Sequence, residues 1–260
     1  MRPFLFPYTI FETPTYYVLY LLAFLGAILL GTRKAQSYGL SPVRAVDVGI
    51  VIFISGVTGA RLFHIFIEAP RYYWDHPIRV FYFWQGGFVL FGGILVGILA
   101  TYIYLRIMKE QIGKWADVIA PCLFVGIGIG RGGCLAAGCC YGRPTNSILG
   151  MVFSDPRSAA SPLNTPLYPT QAMEMLFALF AALAFLKIFR KPPKVPGSSF
   201  VWMLVFYSLF RFSIEFLRGD ADRGLFLGGH LATSQFIALG TLLGCLIWFA
   251  WAHSRSKPIS

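Results

Sequence analysis

CLFVGIGIGRGGCLAAGCC, residues 122–140, runs apolar and small for nine residues and then places an arginine, Arg131, where a water-soluble helix would expose it and a membrane helix would avoid it. Two more stretches do the same: Arg211 in VWMLVFYSLFRFSIEF (201–216) and Arg61 in VIFISGVTGARLFHIFIE (51–68). A charged side chain at the centre of a bilayer costs about 2.5–3.5 kcal/mol on insertion scales. A chain that keeps three of them is expected to use them. The guanidinium suits phosphate, which it grips through two parallel hydrogen bonds. The first expectation is a membrane enzyme or carrier that handles an anionic compound such as a phospholipid headgroup.

Composition points the same way. Of 260 residues 57% are hydrophobic and only 13% charged, and the mean hydropathy is +0.65. Soluble domains average about 25% charged residues. The short alternating strands of an outer-membrane barrel are absent, and apolar segments of helical length recur instead. The fold expected is an all-α polytopic membrane protein, one transmembrane domain over residues 1–260. Its spans are read at roughly 17–31, 46–68, 87–106, 115–133, 171–189, 198–217 and 232–252. The first, YVLYLLAFLGAILLG, has no small-residue cleavage site behind it and is read as retained. The aromatic stretch YYWDHPIRVFYFWQGG (72–87) is expected to form a short interfacial helix or arm at the headgroup level.

The formal charge of +11 does not mark a nucleic-acid binder, because the basic residues are scattered over short loops. Of the 22 Lys and Arg residues, alternate sides carry twelve and seven, with three inside spans. The richer side is expected in the cytoplasm, which puts the N-terminus outside, the C-terminus inside and the aromatic arm on the periplasmic face.

Within 126–145 the glycines at 126, 128, 130, 132 and 133 permit close helix approach, but packing alone does not call for a buried cation. Cys139 and Cys140 have the chemistry of ligands or redox thiols. No further ligands stand at zinc spacing and the five cysteines are an odd set, so neither a metal site, nor a cofactor, nor a disulfide framework is expected. His64 and His76 read as packing or hydrogen-bonding residues.

GRGGCLAAGCCYGRP (130–144) resembles the signature of prolipoprotein diacylglyceryl transferases, a Gly-Arg-x-Gly run followed at fixed distance by glycine and a basic residue. Four other stretches agree with that family in the same order. Tyr16 stands like its early membrane-border tyrosine, and GAR (59–61) is similar to its Gly-x-Arg in the second span. YPTQAMEML (168–176) resembles its entry to the fifth span, and RFSIEFLRGD (211–220) its Arg-Phe-x-x-Glu-Phe-x-Arg block. Seven spans with the N-terminus out and the C-terminus in are also the family's topology.

The resemblance implies a reaction in the bacterial cytoplasmic (inner) membrane. The diacylglyceryl group of phosphatidylglycerol moves to the lipobox cysteine thiol in the signal peptide of a preprolipoprotein, glycerol 1-phosphate leaves, and a thioether remains. Negative charge grows on the departing phosphate, so preorganised cations in a dry site should supply much of the rate. Arg131 and Arg211 match the family's essential arginines and are assigned the phosphate. Glu215, one turn after Arg211, is placed to orient it. Arg218 is expected to hold the headgroup or to cap carbonyls, or else to snorkel at the interface; Gly142 is expected to allow a tight turn over the site, and Arg61 to help bind substrate. Gln171 and Glu174 are read as ties between the long loop and the bundle.

Three positions depart from the family pattern. Where members carry Trp-x-Gly-Gly, a spacer and His-Gly-Gly, this chain reads WQGGFVLFGG (84–93), which puts Phe91 before the glycines Gly92 and Gly93 of the expected substrate-binding set. Phenylalanine transfers no proton. Cys134 and Cys139 fall where many members have Asn and Glu. A thiol has a pKa near 8.5 that nearby arginines lower, so a dedicated base is not obligatory; Tyr16 is the first candidate if one is used. Two other readings compete: a catalytically altered paralogue that binds phospholipid or precursor without transfer, and a small lipid or anion transporter. The halves of the chain lack the self-similarity a transporter would show, and the Asp-rich motif of CDP-alcohol phospholipid synthases is absent.

Overall fold

The computed structural model describes residues 3–6, 12–83, 86–220, 225–226 and 231–256. Seven of its helices are long and apolar enough to cross a membrane, in the order expected: Thr15–Ser37, Pro42–Glu68, Leu90–Ile107, Ile112–Ala137, Thr170–Ile188, Ser198–Leu217 and Thr233–Ser254. In chain order the helices are α1 (Thr15–Ser37), α2 (Pro42–Phe63), α3 (Pro70–Asp75), α4 (Leu90–Ile107), α5 (Ile112–Ala137), α6 (Thr170–Ile188), α7 (Ser198–Ile214) and α8 (Thr233–Ser256). A π-helical turn, His64–Glu68, continues α2, and 3-10 turns cover Pro77–Phe81 and Glu215–Leu217. Three two-residue hairpins complete the described fold: β1 (Phe4–Leu5) with β2 (Thr13–Pro14), β3 (Met151–Val152) with β4 (Pro166–Leu167), and β5 (Leu225–Phe226) with β6 (Leu231–Ala232), all antiparallel.

The helix ends differ from the hydropathy reading for local reasons. α1 runs six residues past the apolar segment because Arg33, Lys34 and Gln36 are good helix formers, and the cations suit its C-terminal dipole. It stops just before Gly39, whose φ is +69°. α4 starts at Leu90, not 87, because Gly86 and Gly87 take positive φ. The aromatic stretch folds as α3 and the following 3-10 turn, and Trp74 is 88% exposed. Trp84 and Gln85 of that stretch lie outside the described residues.

Contacts divide the chain into two compact units, residues 30–115 and residues 1–29 with 116–260. In the first, α2 and α4 touch backbone to backbone. A Cβ on Gly59 would lie 2.5 Å from Val96 Cβ and 2.6 Å from the Gly92 carbonyl, and one on Gly93 would lie 2.9 Å from the Gly56 carbonyl. This is the small-residue packing of membrane helices, where close van der Waals contact replaces a hydrophobic drive. Arg44 ties the far end together, donating to the Tyr104 hydroxyl at 2.8 Å and lying 3.4 Å from Glu110.

In the second unit Ala120 and Phe124 of α5 bury against Ala178, Ala182 and Phe185 of α6 and Met203 of α7. The Phe124 and Phe185 rings meet edge on at 5.2 Å. Large side chains on the outside, such as Phe180 and Leu246, stay about two-thirds exposed, as a lipid-facing surface requires. α7 begins on a buried carboxylate. Asp117 of α5 accepts the backbone N–H groups of Gly197 at 2.7 Å and Ser199 at 2.8 Å, satisfying orphan donors and the positive end of the helix dipole.

Asp117→Ala leaves those donors buried without an acceptor. We expect it to cost about 2–3 kcal/mol, read as a lower unfolding midpoint in detergent, with Asp117→Asn losing clearly less. An unchanged midpoint in the alanine variant would show that α7 does not depend on this cap.

Candidate active site

Arg131 lies in the last two turns of α5, where the glycine run brings neighbours close. A Cβ on Gly133 would sit 3.4 Å from Tyr16 of α1, and one on Gly132 would sit 3.6 Å from Met175 Sδ of α6. Arg131 Nε lies 2.9 Å from Glu174 Oε2, and the pair is nearly buried, with side chains 18% and 4% exposed. The other oxygen of Glu174 accepts the Tyr207 hydroxyl at 2.8 Å. Arg131 Nη1 also lies 3.9 Å from Cys134 Sγ.

Arg211 follows Tyr207 by one turn of α7 and so shares its face. Arg211 Nη1 is 2.7 Å from Glu215 Oε2, the pairing expected from the sequence. That contact is charge against charge with poor alignment: Arg211 Nη1 is buried and makes no hydrogen bond among the described residues. Glu215 is held from α8, accepting the Ser234 hydroxyl at 2.8 Å. Arg218 follows the 3-10 turn, donating to Asp220 through Nε at 2.8 Å and again through Nη2. Burial disfavours its charge, but the bond to Asp220 and the nearby Cys140 sulfur outweigh that and hold the guanidinium charged above its ordinary range.

The loop between α5 and α6 closes on this end of α7. Gly142 N–H donates to the Tyr168 carbonyl and Arg143 N–H to the Leu217 carbonyl, both at 2.8 Å, and Gly142 bridges Arg218. A Cβ on Gly142 would lie 2.5 Å from Tyr168 Cβ and 2.8 Å from the Leu217 carbonyl. The position needs glycine because two backbones meet there. Gln171 and Thr170 pin the loop start, donating to the carbonyls of Cys139 and Cys140 at 2.7 Å each.

That pinning gathers three thiols. The sulfurs of Cys134, Cys139 and Cys140 all lie within 4.8 Å of one another. Linear spacing does not reveal the third sulfur. The third comes from inside α5, which ends at Ala137, and positive φ at Gly138 and Cys140 folds the chain back over it. The neighbouring Cys134 and Cys139 sulfurs, with the Arg131 and Arg218 charges, hold Cys140 below the usual thiol range, while the same crowding pushes Cys139 up.

Of the residues singled out in the sequence, Tyr16, Arg131, Gly142, Arg211, Glu215 and Arg218 fall in the unit of residues 1–29 and 116–260. Arg61, Gly92 and Gly93 fall in the other. Arg61 is 4% exposed, and its donors point at the carbonyls of Arg79, Val80, Tyr82, Gly86 and Gly87 at 2.5–3.3 Å, with the Tyr73, Phe83 and Phe88 rings about it. It is the keystone of the aromatic arm, and the substrate contact expected of it finds its N–H groups engaged. His64 bonds the Tyr73 hydroxyl at 3.1 Å in the same arm, the packing role read for it. Gly92 and Gly93 are helix-packing positions against Gly59 and Gly56. Sequence reading gave Glu174 a tether's role and missed it as the partner of Arg131; Tyr207, Ser234 and Asp220 it missed altogether. Arg131 and Glu174 stand 43 residues apart, and no local spacing links them.

Residues 3–251 match the family profile described as prolipoprotein diacylglyceryl transferase. The chain is 34% identical over 223 residues, 86% of its length and 84% of the relative's, to phosphatidylglycerol–prolipoprotein diacylglyceryl transferase 2 of Clostridium perfringens. It is 31% identical to the phosphatidylglycerol–prolipoprotein diacylglyceryl transferase of Clostridium tetani, covering 94% of both chains. The protein of the same name from Nitrosospira multiformis is 32% identical over 94% of this chain and 84% of the relative.

The Arg61 geometry makes a prediction of its own. Arg61→Ala strips one donor set from five carbonyls and frees the segment 70–89 from α2. Proteolytic cleavage within that segment should accelerate by about tenfold or more, the equivalent of at least about 1.4 kcal/mol in local opening. Cleavage at the parental rate would show that the aromatic cage alone holds the arm.

Proposed function

The chain belongs to the prolipoprotein diacylglyceryl transferase family, and we propose that it transfers the diacylglyceryl group of phosphatidylglycerol to the lipobox cysteine thiol of preprolipoproteins, leaving a thioether and releasing glycerol 1-phosphate. It is a multi-pass membrane protein. We place it in the bacterial inner membrane with its N-terminus outside and its C-terminus in the cytoplasm, on the imbalance of basic residues across the spans. Its partners are then the bilayer that delivers the lipid and the signal peptides that carry the acceptor thiol. Nucleic acid has no part in this reading.

What carries the proposal is the pair of buried guanidiniums, Arg131 held by Glu174 and Arg211 by Glu215, with Tyr207, the donor to Glu174, one helical turn before Arg211. Arg131 commits Nε to Glu174 and Arg211 commits Nη1 to Glu215, in each case a fraction of the five N–H donors that a guanidinium carries. A phosphodiester can take such donors without breaking the carboxylates' other bonds to Tyr207 and Ser234. The donors stand in place before charge develops on the departing oxygen, so little reorganisation is needed in the transition state. Arg218 and Gly142 frame the headgroup, Glu215 orients Arg211, and Tyr16 backs the glycine run beside Arg131. Exposure of the aromatic arm at Trp74 supports a seat among lipid headgroups.

The test is complementation of a strain depleted of its own transferase, with the mass of a reporter lipoprotein as readout; a gain equal to one diacylglyceryl unit is expected. Arg131→Ala and Arg211→Ala should each lower transfer by about 10²–10³-fold while the protein stays in the membrane. Near-parental transfer in either would remove the phosphate assignment. Phe91 is 46% exposed, so Phe91→His should keep the fold and hold or raise turnover; loss of folded protein would mark Phe91 as core.

A further inference from the structure

Resting on the thiol-alkylating function proposed above, we propose that Cys134, Cys139 and Cys140 bind one zinc ion through three thiolates, and that its fourth position takes the acceptor cysteine.

The geometry comes first. The three sulfurs lie within 4.8 Å of one another. With zinc–sulfur bonds of about 2.3 Å, two sulfurs on a tetrahedral zinc stand about 3.8 Å apart, so small side-chain rotations close the site. The backbone is already committed. α5 stops at Ala137, and the carbonyls of Cys139 and Cys140 are held by Gln171 and Thr170, which are 0% and 3% exposed. Buried groups that fix the orientation of ligands are a mark of a built metal site.

Charge and ligand type come second. Thiolates select zinc and other thiophilic ions over magnesium or calcium. Three thiolates and one Zn²⁺ leave a single negative charge, and Arg131 Nη1 lies 3.9 Å from Cys134 Sγ to offset it. Among the described residues the cluster has three members and no fourth. Three protein ligands with one open position is the arrangement of catalytic zinc, whereas structural zinc is closed by four.

The open position answers a need of the reaction. The acceptor is itself a thiol, and Phe91 cannot accept its proton. A thiol that binds zinc is deprotonated outright. In the step, the acceptor S–H gives up its proton as sulfur binds zinc. The sulfur lone pair then forms the carbon–sulfur bond at the glycerol carbon while that carbon's bond to the phosphate oxygen breaks. The bonding electrons leave on the phosphate, and the released proton ends on the departing glycerol phosphate. No oxidant or reductant enters.

The experiment loads the intact, reduced protein in detergent with Zn²⁺ or Co²⁺, then measures metal content and the sulfur-to-cobalt charge-transfer absorption. One metal per chain is expected. Cys134→Ser, Cys139→Ser and Cys140→Ser should each weaken binding by about tenfold or more, with phosphatidylglycerol binding retained as the check on folding. Cys122→Ser, whose hydroxyl can keep the bond to the Val118 carbonyl, should bind as the parent does. A lipobox peptide should shift the cobalt spectrum, and the same peptide with serine for cysteine should not. Stripping zinc should lower transfer about tenfold or more, and restoring it should recover transfer. Metal binding that the three serine variants leave unchanged overturns the site, and so does a disulfide between two of these thiols in the freshly prepared protein. Full transfer after complete zinc removal overturns the role in thiol activation. A zinc-loaded protein with the expected spectrum that transfers nothing, in vitro or by complementation, leaves the metal site standing and defeats the functional reading beneath it.

Discussion

The contact on which the site depends is the Arg131–Glu174 pair. A lone guanidinium in the apolar stretch of α5 would be driven to snorkel or to unwind its helix. A carboxylate from α6 at 2.9 Å fixes it instead. The carboxylate is in turn 3% exposed and needs a second partner, which the Tyr207 hydroxyl of α7 supplies. One charge in α5 therefore specifies residues on two other helices. Breaking a buried pair from one side leaves an uncompensated charge, so the three helices are bound to one register. The close α5–α6 packing at Gly128, where a Cβ would lie 2.7 Å from Leu179 Cδ2, belongs to the same constraint.

The neighbouring pairs repeat the pattern with a difference. Arg131, Arg211 and Arg218 face Glu174, Glu215 and Asp220, so the cluster is close to neutral. A neutral resting cluster avoids the repulsion of three like charges in a low dielectric. Two of the carboxylates hold a hydroxyl as well, Glu174 that of Tyr207 and Glu215 that of Ser234. In the proposed site, a phosphate drawing on guanidinium donors would leave those carboxylates hydrogen-bonded.

The seven spans were legible in the sequence because each is a long run without enough charge to be soluble, and hydropathy needs only composition along a line. The arginines were legible for the same reason, as charges out of place. Their partners were not. Arg211 and Glu215 could be paired by helical spacing, but Glu174 reaches Arg131 across 43 residues, and only the fold supplies that distance. Arg61 shows a second limit: its partners are backbone carbonyls, which carry no residue-type signal, so a keystone of the arm looks in the sequence like one more ligand-binding arginine. The third thiol was partly readable. Gly138 after Ala137 has the form of a helix C-terminus, and a chain reversing there would bring residues 139 and 140 back toward 134.

Magnitudes explain why a family member can stand without a histidine at position 91. A thiol of pKa near 8.5 is about 3% ionised at pH 7, so replacing a perfect base by none costs at most about 2 kcal/mol, some thirtyfold in rate. Loss of one preorganised donor to the developing anion costs about 10²–10³-fold. In the proposed reaction the departing phosphate therefore carries more of the barrier than the attacking thiol, and Arg131 and Arg211 are the groups we assign to it. Phe91 removes the lesser contribution. Cys134 and Cys139 stand where the family pattern has Asn and Glu, and a zinc ion held by them and Cys140 would recover that contribution by ionising the acceptor directly. The substitutions at 91, 134 and 139 then read as one change, a proton acceptor exchanged for a metal that makes it unnecessary.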